Sequence, residues 1–123
     1  MEIEHLQDIR GQIKKVKYKN SVFNVLYTKE GAMRSGDYHS SKQFDLILRG
    51  QFEVWLLKEG KTIKEIKKEN ELIVIPENIP HLFIARTDGV MLEWWERPFE
   101  AKYYTPYRKL VEENIRNLLN KND

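Results

Sequence analysis

Two stretches of the chain carry side chains that could bind a metal ion or move a proton. The first runs from Gly31 to Gly50 and the second from Pro76 to His81, and the groups in question belong to Asp37, His39, Gln43 and His81. Two imidazoles and one carboxylate form the ligand set of many non-haem Fe(II) sites, and Zn, Mn or Ni could use the same groups. The imidazoles and the carboxylate could equally act as catalytic acid and base.

Alternation along β-strands could bring these side chains to one point. Residues two apart on a strand face the same side, so Asp37, His39 and Gln43 can all point into a barrel. His81, at the start of a later strand, can point at the same place. The alternative is that His39 is exposed after a turn and that His81 bonds only to a backbone carbonyl after Pro80.

Composition limits the class of protein. The 123 residues carry a formal charge of +2 with lysines scattered among glutamates, which predicts no nucleic-acid-binding surface. Cysteine is absent, so the chain has no disulfide and no thiolate chemistry. The acidic N-terminus and the lack of a long apolar run predict no signal peptide and no membrane span. We therefore expect one cytoplasmic domain over residues 1–123 that binds a small molecule.

Short apolar runs between turn residues predict an all-β protein. Runs rich in β-branched and aromatic residues recur about every ten residues, a spacing typical of a sandwich or barrel. Glu59-Gly60 and Asp88-Gly89 are hairpin signals within this pattern. We assign the barrel to residues 21–97.

The two ends of the chain are predicted to lie outside the barrel. Residues 1–20 form a polar leader, in which residues 3–9 could be helical and residues 13–18 could be an edge strand. Thr105-Pro106 offers an N-cap and a first-turn proline before apolar residues at helical spacing. This pattern predicts a C-terminal helix over residues 105–120.

The two stretches resemble the two sequence motifs of the cupin superfamily. These motifs are Gly-x5-His-x-His-x3/4-Glu-x6-Gly and Gly-x5-Pro-x-Gly-x2-His-x3-Asn, and all their spacings fit this chain. The residues that also match in identity are Gly31, His39, Gly50, Pro76 and His81. The resemblance implies a double-stranded β-helix, or jelly-roll barrel. Asp37 and Gln43 stand where metal-binding cupins have His and Glu.

A second resemblance, to sugar-nucleotide cupins, concerns the ligand. Residues 8–11 (Asp-Ile-Arg-Gly) and 34–39 look like the Asp-x-Arg-Gly leader and the Arg-Gly-x-His-Tyr-Gln/His segment of epimerases and ketoisomerases that act on dTDP-4-keto-6-deoxyhexoses. The likeness implies that Arg34 grips a phosphate or sugar oxygen and that His39 lines a sugar pocket. The histidine base of those enzymes aligns with Asp37, which could abstract a proton only if burial raised its pKa.

Other residues could line the same pocket. Asp45 and Arg49 lie in the inward frame of their strand, where they could form an internal ion pair or a salt bridge at the rim. Arg49 could instead bind a carboxylate or phosphate. Tyr38 could stack on a sugar ring, although a core or interface role also fits. We therefore predict Arg34, Tyr38, Arg49 and Asp45 as substrate-binding residues.

The outward-facing side of the same strand predicts an assembly. If Gln43 points inward, then Phe44, Leu46 and Leu48 point outward and form an apolar patch. A second subunit, the N-terminal strand or the C-terminal helix must cover them. We expect a homodimer, which the cupin resemblance also implies.

Three functions are compatible with these observations. The first is an enzyme, either isomerase-like or metal-dependent, that acts on a sugar or small oxygenated metabolite. In it His39, His81 and Asp37 are catalytic, and the same three residues with Gln43 hold Fe, Mn, Zn or Ni. The second is a non-catalytic sugar-binding module with a degenerate metal site. The third is a structural or regulatory partner that would not need the histidines.

Overall fold

The computed structural model describes residues 1–121 as two antiparallel β-sheets and one helix. The elements are β1 Glu2–Asp8, β2 Gly11–Tyr18, β3 Ser21–Thr28, β4 Met33–His39, β5 Gln43–Arg49, β6 Phe52–Lys58, β7 Lys61–Lys67, β8 Leu72–Ile75, β9 His81–Ala85, β10 Gly89–Trp95, β11 Ala101–Tyr103 and α1 Thr105–Lys121. One sheet has six strands in the order β1-β2-β3-β10-β5-β8, and the other has five in the order β11-β4-β9-β6-β7. The predicted all-β class is therefore confirmed.

The apolar core lies between the two sheets. Ile47 and Met91 of the six-stranded sheet pack in one cluster with Phe52, Val54 and Phe83 of the five-stranded sheet. All five side chains are almost completely buried. Burying a side chain of this size contributes about 1.5–3 kcal/mol, so the cluster is a main source of the barrel's stability.

The helix α1 packs on the outer face of the five-stranded sheet and forms a second, smaller core with it. Its residues Tyr107 and Val111 pack with Leu82 of β9. The Asn114 side chain accepts a hydrogen bond from the Met33 amide and donates one to the Gly31 carbonyl, both at 2.9 Å. The predicted C-terminal helix is confirmed. Among residues 1–121, no helix combines the length and apolar character needed to cross a bilayer.

The N-terminal leader is a β-hairpin. Strand β1 pairs with β2 from Glu2 opposite Lys17 to Asp8 opposite Gly11. A helix at residues 3–9 is therefore wrong, because pairing with β2 supplies the backbone hydrogen bonds that a helix would otherwise form. The strand predicted at residues 13–18 is present as β2, but it lies between β1 and β3 and is not an edge.

A β-bulge in β4 determines which side chains face the interior. The register against β9 shifts between Ser35 and Asp37, and Ser35 and Gly36 have φ angles of 82° and 83°. Arg34 and Asp37, although three residues apart, consequently line the same cavity. A Cβ atom on Gly36 would lie 2.9 Å from the Arg108 Cα atom of α1. The close approach of the helix therefore requires glycine at this position.

A second irregularity, in β5, turns Arg49 outward. The register of β10 against β5 shifts between Val90 and Met91, which leaves Leu48 as an extra residue. The inward frame predicted for this strand therefore holds through Ile47 and fails beyond the bulge. Arg49 is exposed whereas Asp45 is completely buried, so the internal ion pair, one of the alternatives that the sequence left open, does not form.

Candidate metal centre and its cavity

Three of the four predicted metal ligands meet on the inner wall of the five-stranded sheet. Strand β4 carries Asp37 and His39 on one face, and Asp37 is the direct cross-strand neighbour of His81 on β9. The Asp37 Oδ1 atom lies 3.3 Å from His81 Nε2, and its Oδ2 atom lies 3.6 Å from His39 Nε2. One ligand atom from each residue lies within 4.8 Å of the other two. The arrangement has the size of a metal-binding triad.

The hydrogen bonds of His81 leave one of its nitrogens without a partner. Its Nδ1 atom lies 2.9 Å from the Ile79 carbonyl, which can only accept, so Nδ1 carries the proton and donates it. The Nε2 atom then presents a lone pair, is buried without a hydrogen-bond partner, and faces the Asp37 carboxylate. Two acceptors at this separation favour a cation between them. This donor set fits a divalent metal ion, with the Ile79 carbonyl fixing the ring orientation.

Burial keeps both imidazoles in the form that binds metals. Loss of solvation lowers the pKa of His81 to about 4, against the opposing attraction of Asp37. Loss of solvation also lowers the pKa of His39, again against Asp37. Both rings are therefore neutral near pH 7, and no proton has to leave before a metal can bind.

Neighbouring side chains fix the other two members of the triad. The Ser35 hydroxyl donates a hydrogen bond to Asp37 Oδ1. The Phe99 ring meets His39 edge to face, with ring centroids 4.8 Å apart, and Trp95 stacks on Phe99 at 4.5 Å. These aromatic rings cover one side of the imidazole and exclude water from it.

Gln43 is bonded to two buried carboxyl groups. Its amide nitrogen donates to Asp45 Oδ2 at 2.7 Å and to Glu93 Oε2 at 3.0 Å, while its oxygen accepts from Trp95 Nε1 at 3.2 Å. Asn24 donates to the second Glu93 oxygen at 3.2 Å. The amide oxygen accepts the hydrogen bond from Trp95, so the hydrogen bonds of the Gln43 side chain all go to residues outside the triad. Its predicted role as a metal ligand stays a prediction.

The two carboxyl groups bonded to Gln43 lie opposite each other on neighbouring strands. Asp45 has no exposed surface and lies directly opposite Glu93 in the register of β5 and β10. Burial raises the pKa of Asp45 well above its usual value, and the neighbouring Glu93 carboxylate raises it further. Burial and the neighbouring carboxylate therefore both favour the protonated form of Asp45.

A cavity of about 140 Å³ opens beside the triad. Its wall includes Asp37 and His39 of the triad together with Glu93, Arg34 and Arg10. A second cavity of about 300 Å³ shares the two arginines and is otherwise lined by the β1–β2 hairpin. The hairpin tip therefore forms the opening through which a small molecule would reach the triad.

Arg34 presents a buried guanidinium to this opening. It donates to the Thr28 hydroxyl at 2.7 Å and to the Tyr27 carbonyl at 3.0 Å, and within residues 1–121 no carboxylate pairs with it. Burial lowers the pKa of Arg34 to about 10, and the nearby positive charge of Arg10 contributes to the lowering. Arg10 itself is paired with Asp8 at 2.7 Å. An anion that enters the cavity would supply the charge partner that Arg34 lacks.

The other predicted substrate-binding residues do not line this cavity. Tyr38 follows Asp37 on β4, so alternation directs its side chain to the opposite face. Arg49 lies beyond the bulge at the surface, and Asp45 lies behind Gln43. Their contacts with a ligand stay predictions.

Two charged residues of the cavity wall, Glu93 and Arg10, were not among the predicted site residues. Glu93 could have been found, because it alternates with the buried Met91 on β10 and therefore shares its inward face. Arg10 belongs to the segment 8–11 that resembles the leader of sugar-nucleotide cupins, but its place at the opening depends on the pairing of β1 with β2. Only the folded hairpin brings its tip to the cavity.

The fold matches solved structures of cupins. The match to the capsular polysaccharide assembling protein CapF from Staphylococcus aureus has a TM-score of 0.71 at 17% identity and covers 84% of this chain and 32% of that one. The match to a tryptophan variant of Bacillus subtilis oxalate decarboxylase has a TM-score of 0.69 at 20% identity and covers 76% of this chain and 27% of that one. The chain therefore spans about a third or less of these proteins.

These matches establish the fold. The chain has the cupin fold, as its two sequence motifs imply, and it carries a candidate three-residue metal site. No protein-family model and no curated protein matches the sequence.

Proposed function

We propose that this protein is a metal-dependent enzyme that binds a divalent ion through Asp37, His39 and His81. The observation that carries the proposal is the buried, unpartnered Nε2 atom of His81, which faces the Asp37 carboxylate at 3.3 Å. Manganese leads the candidates, because the similar Bacillus subtilis oxalate decarboxylase has Mn(II) centres. Iron, zinc and nickel suit the same ligands.

The substrate that this cavity favours is a small oxygenated anion. At about 140 Å³ the cavity is smaller than the roughly 300–1,000 Å³ of pockets for drug-sized ligands. Arg34 offers a guanidinium without a carboxylate partner, and a carboxylate would bind it through two hydrogen bonds. The likeness to oxalate decarboxylase supports a small carboxylic acid. The likeness to a capsular polysaccharide assembling protein supports a sugar instead.

The residues that line the cavity would have separate roles in the reaction. A bound metal would polarise a substrate oxygen and lower the pKa of a bound water. Arg34 would hold the anionic group away from the metal. Glu93 lies on the cavity wall and can accept or return a proton, while Phe99 and Trp95 keep water from the side of His39.

A second candidate is a non-catalytic module that binds a sugar. The amide and carboxyl groups of Gln43 and Glu93 favour it, since such groups bind sugar hydroxyls, and Gln43 replaces the usual glutamate ligand. This candidate predicts ligand binding without turnover. A cytoplasmic location, expected from the sequence, is likewise part of the proposal.

Metal analysis tests the proposed centre. We expect the purified protein, stripped with EDTA and reloaded with Mn²⁺, to hold close to one equivalent. Asp37→Asn and His39→Ala should each lower the affinity at least tenfold, because each removes one of three ligands. His5→Ala is the matched control, since His5 lies on the exposed strand β1 and should leave binding unchanged. Absence of bound metal in the native protein, or full binding by Asp37→Asn with an unchanged circular dichroism spectrum, would refute the centre.

Ligand titration tests the substrate class. We expect Mn-loaded protein to bind oxalate, used as the probe, and Arg34→Met to weaken that binding by about tenfold or more, as expected for a lost charge-assisted hydrogen bond. Arg49→Met, an exposed arginine outside the cavity, serves as the control. Equal oxalate affinity in the native protein and Arg34→Met would contradict the anion assignment. Binding of a neutral hexose in place of oxalate would support the sugar-binding module.

A further inference from the structure

Ser35 has a backbone conformation that serine rarely adopts. Its φ angle is 82°, in the left-handed region that favours glycine, and the neighbouring Gly36 has nearly the same value. A side chain makes this region unfavourable, because the Cβ atom comes too close to the following carbonyl oxygen. Residues held in such conformations cluster at functional sites, where the surrounding structure supports them. The chain therefore has a serine where glycine would suit the backbone better.

Contacts with the helix α1 and with β9 hold this conformation in place. The Arg108 guanidinium donates to the Ser35 carbonyl at 3.0 Å, and the Arg108 backbone packs against Gly36. The Arg108 side chain is itself fixed, since its guanidinium carbon lies 4.5 Å from the centre of the Tyr103 ring. Ser35 also pairs with Leu82 of β9 just before the register shifts. The place of the Ser35 side chain is therefore determined by the fold around it.

The Ser35 side chain lines the cavity and contacts a proposed metal ligand. Its hydroxyl donates a hydrogen bond to Asp37 Oδ1, the atom that faces His81 Nε2 at 3.3 Å. The other carboxylate oxygen faces His39 Nε2 at 3.6 Å. Apart from the two imidazoles, no other group within residues 1–121 bonds to this carboxylate. A carboxylate can rotate about its Cβ–Cγ bond, so the hydroxyl is the contact that limits its orientation.

We propose that Ser35 is a positioning residue of the metal centre and that the role of its hydroxyl accounts for the strained backbone. The inference rests on the proposed function, because it takes Asp37 to be a metal ligand. Hydrogen-bond partners of metal ligands typically raise metal affinity by roughly 10- to 100-fold. A glycine at position 35 would relieve the strain but would leave the carboxylate free to turn away from the imidazoles. The serine thus lowers the stability of the metal-free fold and raises the affinity of the centre.

Two variants at this position separate the effect of the hydroxyl from that of the backbone. Ser35→Ala removes the hydroxyl and keeps a side chain at positive φ, whereas Ser35→Gly removes both. We expect the Mn²⁺ affinity of EDTA-stripped protein to fall by roughly tenfold or more in both variants. Urea unfolding of the metal-free proteins should give Ser35→Gly the higher midpoint, because only glycine relieves the strain. At saturating Mn²⁺, the electron paramagnetic resonance spectra of both variants should differ from the native spectrum.

Glu59→Gly is the matched control, since Glu59 also has a positive φ, of 52°, in the exposed turn between β6 and β7. It should keep the native Mn²⁺ affinity and spectrum. Native affinity in either Ser35 variant would overturn the inference and leave the metal centre intact. Equal urea midpoints of the two variants would refute the conformational cost of the serine. A native protein that binds no Mn²⁺ would refute the centre itself, and the role of Ser35 with it.

Discussion

Some residues of the site depend on the hydrogen-bonding groups of their neighbours. Gln43 illustrates this dependence, because it donates to Asp45 and Glu93 where the cupin motif has a glutamate. A glutamate at this position would place a third carboxyl group beside the pair formed by Asp45 and Glu93. The amide instead supplies the donor that this pair needs. The glutamine is therefore explained by its two acidic neighbours.

The buried pair leads to a prediction for Asp45→Asn. The folded-state pKa of Asp45 lies above its unfolded value of 3.8. The proton therefore contributes stability that is complete below about pH 3.8 and is lost as the pH rises through the folded pKa. Asparagine does not titrate. We therefore expect the free energy of unfolding of the variant to increase with pH relative to that of the native metal-free protein. The gain should reach at most about 1.4 kcal/mol per pH unit.

Urea unfolding of both proteins between pH 4 and pH 8 measures this difference. Asp88→Asn is the control, since Asp88 is an exposed carboxylate in the turn that connects β9 of one sheet to β10 of the other. It should give a curve parallel to that of the native protein. A parallel curve for Asp45→Asn would mean that Asp45 is ionised in the folded protein.

At the scale of elements, two bulges decide which residues enter the cavity. Alternation alone predicted the inward frame of Asp37, His39 and Asp45, and the structure agrees. It failed at Arg49 because Leu48 is an extra residue, and it could not show that Arg34 joins Asp37 across the bulge of β4. A bulge depends on how a neighbouring strand is paired, which a single strand sequence does not reveal.

The bulge of β4 leads to a prediction for Gly36→Ala. Gly36 and Gly31 both have a φ of 83°, a conformation that costs alanine about 1–2 kcal/mol. At Gly36 the new Cβ would also meet backbone atoms of Arg108 at 2.9 and 3.0 Å, whereas at Gly31 nothing lies within 4 Å. We expect Gly36→Ala to lower the free energy of unfolding by clearly more than the matched control Gly31→Ala.

Urea unfolding measures both glycine variants. The excess loss in Gly36→Ala is the contribution of the helix contact. Because Asp37 is the next residue, we also expect Gly36→Ala to weaken Mn²⁺ binding while Gly31→Ala does not. Equal losses in the two variants would mean that α1 moves away without cost.

For the whole molecule, the sequence was most informative where a pattern spans many residues. Turn signals between apolar runs predicted the two sheets, and Thr105-Pro106 predicted the start of α1. The leader was misread because residues 3–9 show helical spacing of apolar residues, and only pairing with β2 decides between helix and strand. The opening of the cavity likewise depends on this hairpin. Long-range pairing of this kind leaves little trace in the local sequence.

The β1–β2 hairpin places the opening of the cavity on a different part of the fold from the proposed metal ligands. Arg10 at the opening belongs to the tip between β1 and β2, whereas Asp37 and His81 belong to β4 and β9 in the other sheet. Exchanging or lengthening this tip would change which compounds can enter the cavity without altering the side chains proposed to bind the metal. Selectivity and reactivity can thus change independently, and grafting new β1–β2 turns offers a direct way to redirect this protein to other small acids.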